Sequence, residues 1–434
     1  MDTPICDFVR KYAQSGTLRL HMPGHKGHGP LGFEQLDITE IAGADSLYEA
    51  DGIIAQSEAN ASRLFGCPTF YSTEGSSQCI RAMVYLAMLD AKSKDLPLRI
   101  AAGRNAHKTF LSAAALMDAD VVWLYPQEGE SYLSCTIRPA DVEALENVTA
   151  LYLTSPDYLG NMADIGVISE ICRKKGILLL VDNAHGAYLR FLEPSLHPMD
   201  LGADLCCDSA HKTLPVLTGG AYLHIRNEAL AKNAKDALAL FGSTSPSYLI
   251  LQSLDAANAY LSEGYRQILA QAAQSAEGSM VRLNAMGYCF SGKEPMKLTI
   301  RAKLYGYTGT ELAALLRENG MECEFADPDF LVLMPSPSTE QEALDNALTH
   351  IPKRPALQEA PPALCRPEKV LSIRDAMFAP SEVIPVDESE GRILSAATVG
   401  CPPAVPILVC GERIDKDAIA AFHYYGIETC RVCK

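Results

Sequence analysis

The sequence predicts an α/β protein: a large domain built on a mostly parallel sheet, followed by smaller α+β C-terminal domains. Three observations carry this. Between about residues 60 and 230, short apolar runs alternate with amphipathic helical stretches, the pattern of a sheet layered with crossover helices. The runs lack polar alternation, as expected of strands buried on both faces. The chain has 434 residues, enough for two or three domains, and its pattern changes at about residue 295.

The apolar runs are Leu98–Ala102, Ala150–Leu153, Ile177–Val181 and Ala221–Ile225, rich in Leu, Ile, Val and Ala. Helices are predicted at Ser76–Ala91, ahead of these runs, and at Val167–Lys175, between the second and third. Further on, MKLTIRA and FLVLMP read as strands flanking a helix, TGTELAALLRENG, that ends at Gly320. Thr308 and Thr310 with Glu311 supply the N-terminal chemistry of that helix. The stretch PKRPALQEAPPALCRPE, residues 352–368, reads as a proline-rich linker. The expected division is an N-terminal segment and large domain over 1–280, a small α+β domain over 281–351, the linker, and a C-terminal segment over 369–434.

Hydrophobic residues make up 48% of the chain and charged residues 21%, as in ordinary globular proteins. A formal net charge of -16 disfavours nucleic acid and anionic membrane as partners, since both need a positive field. The opening MDTPICDFVRKYAQ has neither a basic nor an apolar signal region, and no apolar run is long enough to span a bilayer. A cytoplasmic protein is expected. Its 14 cysteines show no disulfide-like framework and read as small buried hydrophobes. Cys430 and Cys433 form one C-x-x-C pair, but a structural zinc site needs four ligands, so no metal is expected.

Candidate chemistry lies at the strand ends. ILLLVDNAHGAYL delivers Asp182 at the end of a buried strand, where ligands of open α/β sheets bind. Such an Asp either caps the next turn or pairs with a protonated ring nitrogen, as pyridoxal 5'-phosphate (PLP) requires. LCCDSAHKTLPVLTGG brings Ser209 and His211 as phosphate donors beside Lys212, which can form an imine. His-Lys occurs three times, at His25-Lys26, His107-Lys108 and His211-Lys212. Lys212 is favoured because Asp182 precedes it by one crossover unit. Gly75, Ser76 and Ser77 open a predicted helix, either as an anion site or as a plain N-cap. His107 follows another strand, placed either to stack on a planar cofactor or to cap a helix. No G-x-G-x-x-G joins a strand to a helix, which disfavours a dinucleotide enzyme.

In this order the elements resemble fold-type I PLP enzymes, and more narrowly the short members of the Orn/Lys/Arg decarboxylase family. The resemblance runs through LHMPGHKGHG (20–29), DITEIAGADSL (37–47), SEANASRLFG (57–66), TSPDYLGNMADI (154–165), SAHKTLPVLTGG (209–220), STSPSYLILQSLDAA (243–257) and CPPAVPILVCGE (401–412). It implies PLP held as a Schiff base on Lys212, with Asp182 on the pyridine nitrogen. His107 would stack on one ring face and Ala184 pack near the other, with His185 shaping the site. Gly75, Ser76, Ser77, Ser209 and His211 would bind the phosphate. Ser243 or Thr244 would reach the phosphate of a neighbouring subunit in a homodimer or higher homo-oligomer.

The implied reaction is decarboxylation of lysine, arginine or ornithine, with Lys212 or His211 as proton donor. Glu412 and Asp45 are the candidate acids for a basic substrate. Cys401, Ala404 and Cys410 replace a usual Tyr, Gly and Pro, and Asp208 stands where a neutral polar residue is more usual. These departures bear on substrate identity. An aminotransferase or other lyase on the same fold is the first alternative. A PLP-binding regulatory protein without turnover is the second.

Overall fold

The computed structural model describes residues 1–363, 366–396 and 405–434; Cys401 and Ala404 lie outside them. Seven strands form the main sheet: β1 (Thr69–Ser72), β2 (Arg99–Gly103), β3 (Asp120–Leu124), β4 (Ala150–Thr154), β5 (Leu178–Asp182), β6 (Leu205–Asp208) and β7 (Ala221–Ile225), in the order β1-β7-β6-β5-β4-β2-β3. The pairs β2–β3 and β5–β6 are parallel, whereas β7 runs antiparallel to both β1 and β6. The four predicted strands fall on β2, β4, β5 and β7 to within one residue at each end. They are buried along nearly their whole length, which is why they read as unbroken apolar runs.

The chain divides into two units. The first comprises Met1–Leu98, Thr149–Leu151 and Ile165–Gln267, the second Arg99–Val148, Tyr152–Asp164 and Ile268–Lys434. In the first unit, helices α1 (Pro4–Ala13) and α2 (Ile53–Phe65) pack together and against the helix Tyr248–Ser262. Asp255 of the last accepts the amides of Ile5 at 3.0 Å and Cys6 at 2.9 Å. A carboxylate from a remote helix thus satisfies the first turn of α1 and faces its positive dipole end. Helix α3 (Ser76–Ser93) buries Cys79, Met83, Leu86 and Ala87 and packs on β5, β6 and β7.

In the second unit, helix α4 (Lys108–Met117) follows β2. An antiparallel sheet has the order β10-β11-β9-β8, from β8 (Phe290–Ser291), β9 (Leu298–Arg301), β10 (Phe325–Ala326) and β11 (Phe330–Leu333). The helix Gly309–Glu318 packs on it through Leu312 and Leu316. Its capping box is complete: Thr308 Oγ1 accepts the Glu311 amide at 3.1 Å, and Glu311 Oε2 accepts the Thr308 amide at 2.7 Å. A last antiparallel pair, β12 (Ser381–Pro385) and β13 (Thr429–Cys433), packs on a core that includes Leu394, Leu408, Ile414 and Phe422. Cys430 and Cys433, three apart on β13, point to opposite faces of the strand and share no ligand position. No helix among the described residues is long and apolar enough to cross a membrane.

Candidate functional site

Parallel neighbours β5 and β6 end side by side, with Asp182 opposite Cys207. The two strands therefore deliver the turns beginning at Asn183 and Ser209 to one edge of the sheet. Asp182 is 2% exposed. Its Oδ1 accepts the Ala184 amide at 3.2 Å and lies 3.6 Å from Cys207 Sγ. The following turn closes tightly: the Gly186 amide donates to Asn183 O at 2.8 Å, and the Asn183 amide to Cys207 O at 3.0 Å. Glycine is needed at 186 for space, since a Cβ there would sit 2.1 Å from Asn183 Oδ1 and 2.7 Å from Leu189 Cδ1.

The turn places buried His185 beside Lys212, with Nε2 and Nζ 2.9 Å apart. A protonated lysine has only hydrogens to offer, so His185 then accepts through Nε2 and carries its hydrogen on Nδ1. Lys212 is exposed in the single chain. His211 Nδ1 bonds to the Gly220 carbonyl at 2.9 Å, so this nitrogen carries the hydrogen. Burial pushes the His211 pKa down, the Gly220 carbonyl opposes this, and the Lys212 charge adds to the downward shift. The neutral ring presents Nε2 as an acceptor.

Gly75, Ser76 and Ser77 stand at the start of α3. Gly75 is its N-cap, at φ +71° and ψ −179°, a conformation glycine adopts without strain. Its amide donates to Gly219 O at 2.7 Å, tying this turn to the one after Lys212. No side-chain hydrogen bond caps the helix at Gly75, and its N-terminal dipole end favours an anion at this position. Ser209 Oγ donates to Ser76 Oγ at 2.8 Å, so hydroxyls from β6 and α3 converge at the same end. This donor set suits a phosphate, and the adjacent Asp182 carboxylate and Lys212 amine suit a pyridine nitrogen and an aldehyde. The residues present fit PLP.

The remaining candidates are placed differently. Ser243 and Thr244 are exposed in the loop before the helix Tyr248–Ser262, and Ser243 Oγ accepts the Ser245 amide at 3.1 Å. Asp45 is 4% exposed, and its carboxylate accepts the amides of Asp51, Gly52, Ile54 and Ala55 at 2.9 to 3.3 Å. It closes a loop onto the start of α2. In the second unit, His107 is the N-cap of α4 and its Nδ1 accepts the Thr109 amide at 3.2 Å. Glu412, 2% exposed, pairs with Arg104 Nη2 at 2.7 Å and accepts the Val409 amide at 2.8 Å. Burial raises its pKa, and the Arg104 guanidinium pulls it back.

Sequence reasoning missed the setting of Asp208, which it saw only as a departure from a pattern. The buried side chains of His197, Asp208, His224 and Asn183 form one hydrogen-bonded group beside the site. The one signal was an acid inside the apolar run LCCD, where an unpaired charge is costly and partners must exist. Which partners, the sequence did not say.

The major-domain model of the Orn/Lys/Arg decarboxylases matches residues 3–289, and the C-terminal-domain model of the same family matches residues 356–429. An arginine decarboxylase of Halalkalibacterium halodurans is 31% identical over 460 residues, covering 96% of this chain and 92% of that one. An arginine decarboxylase of Bacillus subtilis is 30% identical over 459 residues, with the same coverages. Among solved structures, the constitutive lysine decarboxylase of E. coli matches with a TM-score of 0.77 at 17% identity. That match covers 100% of this chain and 82% of the other, and it speaks for the fold. With a seven-stranded, mostly parallel sheet of this order and both family domains present, the chain belongs to the Orn/Lys/Arg decarboxylase family.

Proposed function

We propose that this chain decarboxylates a basic amino acid, arginine first among arginine, lysine and ornithine, to the corresponding amine and CO₂. One observation carries the reading. In a member of this family, the carboxyl ends of β5 and β6 bring together a buried carboxylate (Asp182), an amine on an imidazole (Lys212 and His185) and converging hydroxyls at a helix start (Ser209 and Ser76). The preference for arginine rests on the names of the two relatives near 30% identity.

PLP, when bound, supplies an electron sink for the pair left on Cα as CO₂ departs. Asp182 holds the pyridine nitrogen protonated. Ser76, Ser77 and Ser209, at the start of α3 and the end of β6, would hold the phosphate. Lys212 would anchor the cofactor through Nζ. His185 takes the proton from Lys212 Nζ across their 2.9 Å contact, readying the amine. The proton then held on His185 is the one returned to Cα, through Lys212 Nζ. His211, neutral and accepting through Nε2, must first collect a proton to do so, which ranks it second. His107, with Nδ1 engaged at Thr109, keeps a fixed ring plane that suits stacking.

Of the candidate substrate acids, Glu412 is held by Arg104 and Asp45 by four amides. We assign both to the scaffold before the substrate. The protein is further read as a cytoplasmic homo-oligomer. Residues 352–363 form neither helix nor strand, which supports a linker there between domains.

The test is to purify the protein with PLP, record its visible spectrum, and trap CO₂ after adding each basic amino acid. The expected result is a cofactor band that Lys212→Ala abolishes, and CO₂ from arginine. CO₂ from lysine or ornithine instead would correct the substrate. A keto acid without CO₂ would replace the reading with an aminotransferase, a band with no turnover would replace it with a regulator, and no band at all would refute the PLP site.

A further inference from the structure

The group around Asp208 lies across the sheet from Asp182. Asp182 and Cys207 are in register on one face; Asp208, the next residue, points to the other. His197, Asp208 and His224 are each 0% exposed, with ligand-type atoms within 4.8 Å of one another. Such a set suits a cation by residue type, but its hydrogen bonds oppose one. Asp208 Oδ2 lies 3.1 Å from His197 Nε2 and 3.0 Å from His224 Nε2. The Met199 amide donates to His197 Nδ1 at 3.3 Å, so that nitrogen is an acceptor and the ring hydrogen sits on Nε2, facing Asp208. A metal-bound imidazole has the reverse arrangement, with hydrogen on its outer nitrogen.

Asp208 Oδ1 accepts from Asn183 Nδ2 at 2.7 Å, with Cys206 Sγ at 3.8 Å as a further donor. Asn183 Oδ1 has no hydrogen-bond partner among the described residues. The carboxylate therefore sets the orientation of this amide, because the flipped form would put oxygen against oxygen. Asn183 is the first residue of the turn that carries His185, and it directly follows Asp182. Asp208 also directly precedes Ser209. The His197 imidazole and the Asn183 amide aim hydrogens at Asp208; because an ionised carboxylate only accepts, His224 also presents its hydrogen from Nε2, and its Nδ1 then accepts from the Thr69 hydroxyl at 2.9 Å. A neutral amide in place of Asp208 has a single acceptor oxygen.

We propose that Asp208 is a positioning residue: its carboxylate, held by His197 and His224, locks Asn183 and so sets Asp182 and His185 for the cofactor. This rests on the PLP reading above. The variants are Asp208→Asn, Asn183→Ala and the double. Three quantities are measured on each: the PLP dissociation constant by absorbance titration of the apo-protein, the visible maximum of bound PLP, and the melting temperature of the apo-protein.

Each single change is expected to weaken PLP binding about tenfold, the effect of losing a hydrogen bond to a charged group, and to move the visible maximum. The double is expected to be no weaker than Asp208→Asn, because both act through one contact. Lower melting temperatures with unchanged PLP affinity and spectrum would overturn the proposal, leaving Asp208 a packing residue. Independent, multiplying losses would overturn it too. If Asp208→Asn does not fold, Asn183→Ala decides alone, and unaltered PLP binding in it overturns the proposal. Failure of the unsubstituted protein to take up PLP is seen first and refutes the functional reading instead.

Discussion

At Gly186 a single hydrogen atom decides the shape of the turn. Its missing side chain makes room for Asn183, and Asn183 is pinned in turn by Asp208. Gly186→Ala forces the amide to leave its carboxylate or the turn to open. We expect a loss of about 1–3 kcal/mol by denaturant unfolding, the usual range for overpacking. Glu294 offers a second test, of charge. It is 3% exposed, and burial pushes its pKa up to about 7, against the pull of the nearby Lys297 charge and the Met296 amide. Above pH 7 the folded protein must hold this carboxylate ionised, which costs stability. As pH falls from 7 towards the unfolded value of about 4.5, the folded state takes up a proton that the unfolded chain does not, and stability rises. Glu294→Gln is therefore expected to melt higher than the unsubstituted protein at pH 8, with the gap narrowing towards pH 5. A gap of the same size at both pH values would contradict the assignment.

Secondary elements were legible where one local rule governed them. Thr308 with Glu311 announced a helix start, because both halves of a capping box lie within four residues. Thr308→Ala should cost about 1 kcal/mol in chemical denaturation, the worth of an N-cap. The strands β2, β4, β5 and β7 were legible because burial on both faces leaves no polar alternation. The start of α3 was legible because Gly-Ser-Ser ends an extended run. Side-chain pairing was not legible. Glu412 meets Arg104 across 308 positions, and Asp208 meets His197 and His224 from separate strands and turns. Nothing local in the sequence marks such partners. Asp45 shows the same limit: the sequence offered it as a candidate substrate acid and gave no sign of the four amides its carboxylate accepts. Asp45→Asn should thus lower the melting temperature while leaving KM for the basic substrate within about twofold. A tenfold rise in KM without a change in melting, equal to about 1.4 kcal/mol of binding, would instead place Asp45 on the substrate.

At the scale of the whole molecule, the test is whether one chain suffices for a site. Ser243 and Thr244 carry exposed hydroxyls in the single chain, and Lys212 is likewise exposed. If, as the family resemblance implies, the loop at 243–244 completes the phosphate site of a second copy, two inactive variants can repair each other. In a two-fold dimer each site takes Lys212 from one chain and the loop from the other. Mixing Lys212→Ala with the double variant Ser243→Ala and Thr244→Ala, after dissociation and reassociation, makes half the dimers hybrid. Each hybrid then has one site with both parts intact and one with neither. About a quarter of the unsubstituted activity should return, by the statistics of a two-fold interface. Sites built within one chain would give no recovery, because every lysine-bearing site would keep its altered loop. The size of the recovery thus separates shared sites from separate ones without knowledge of the interface.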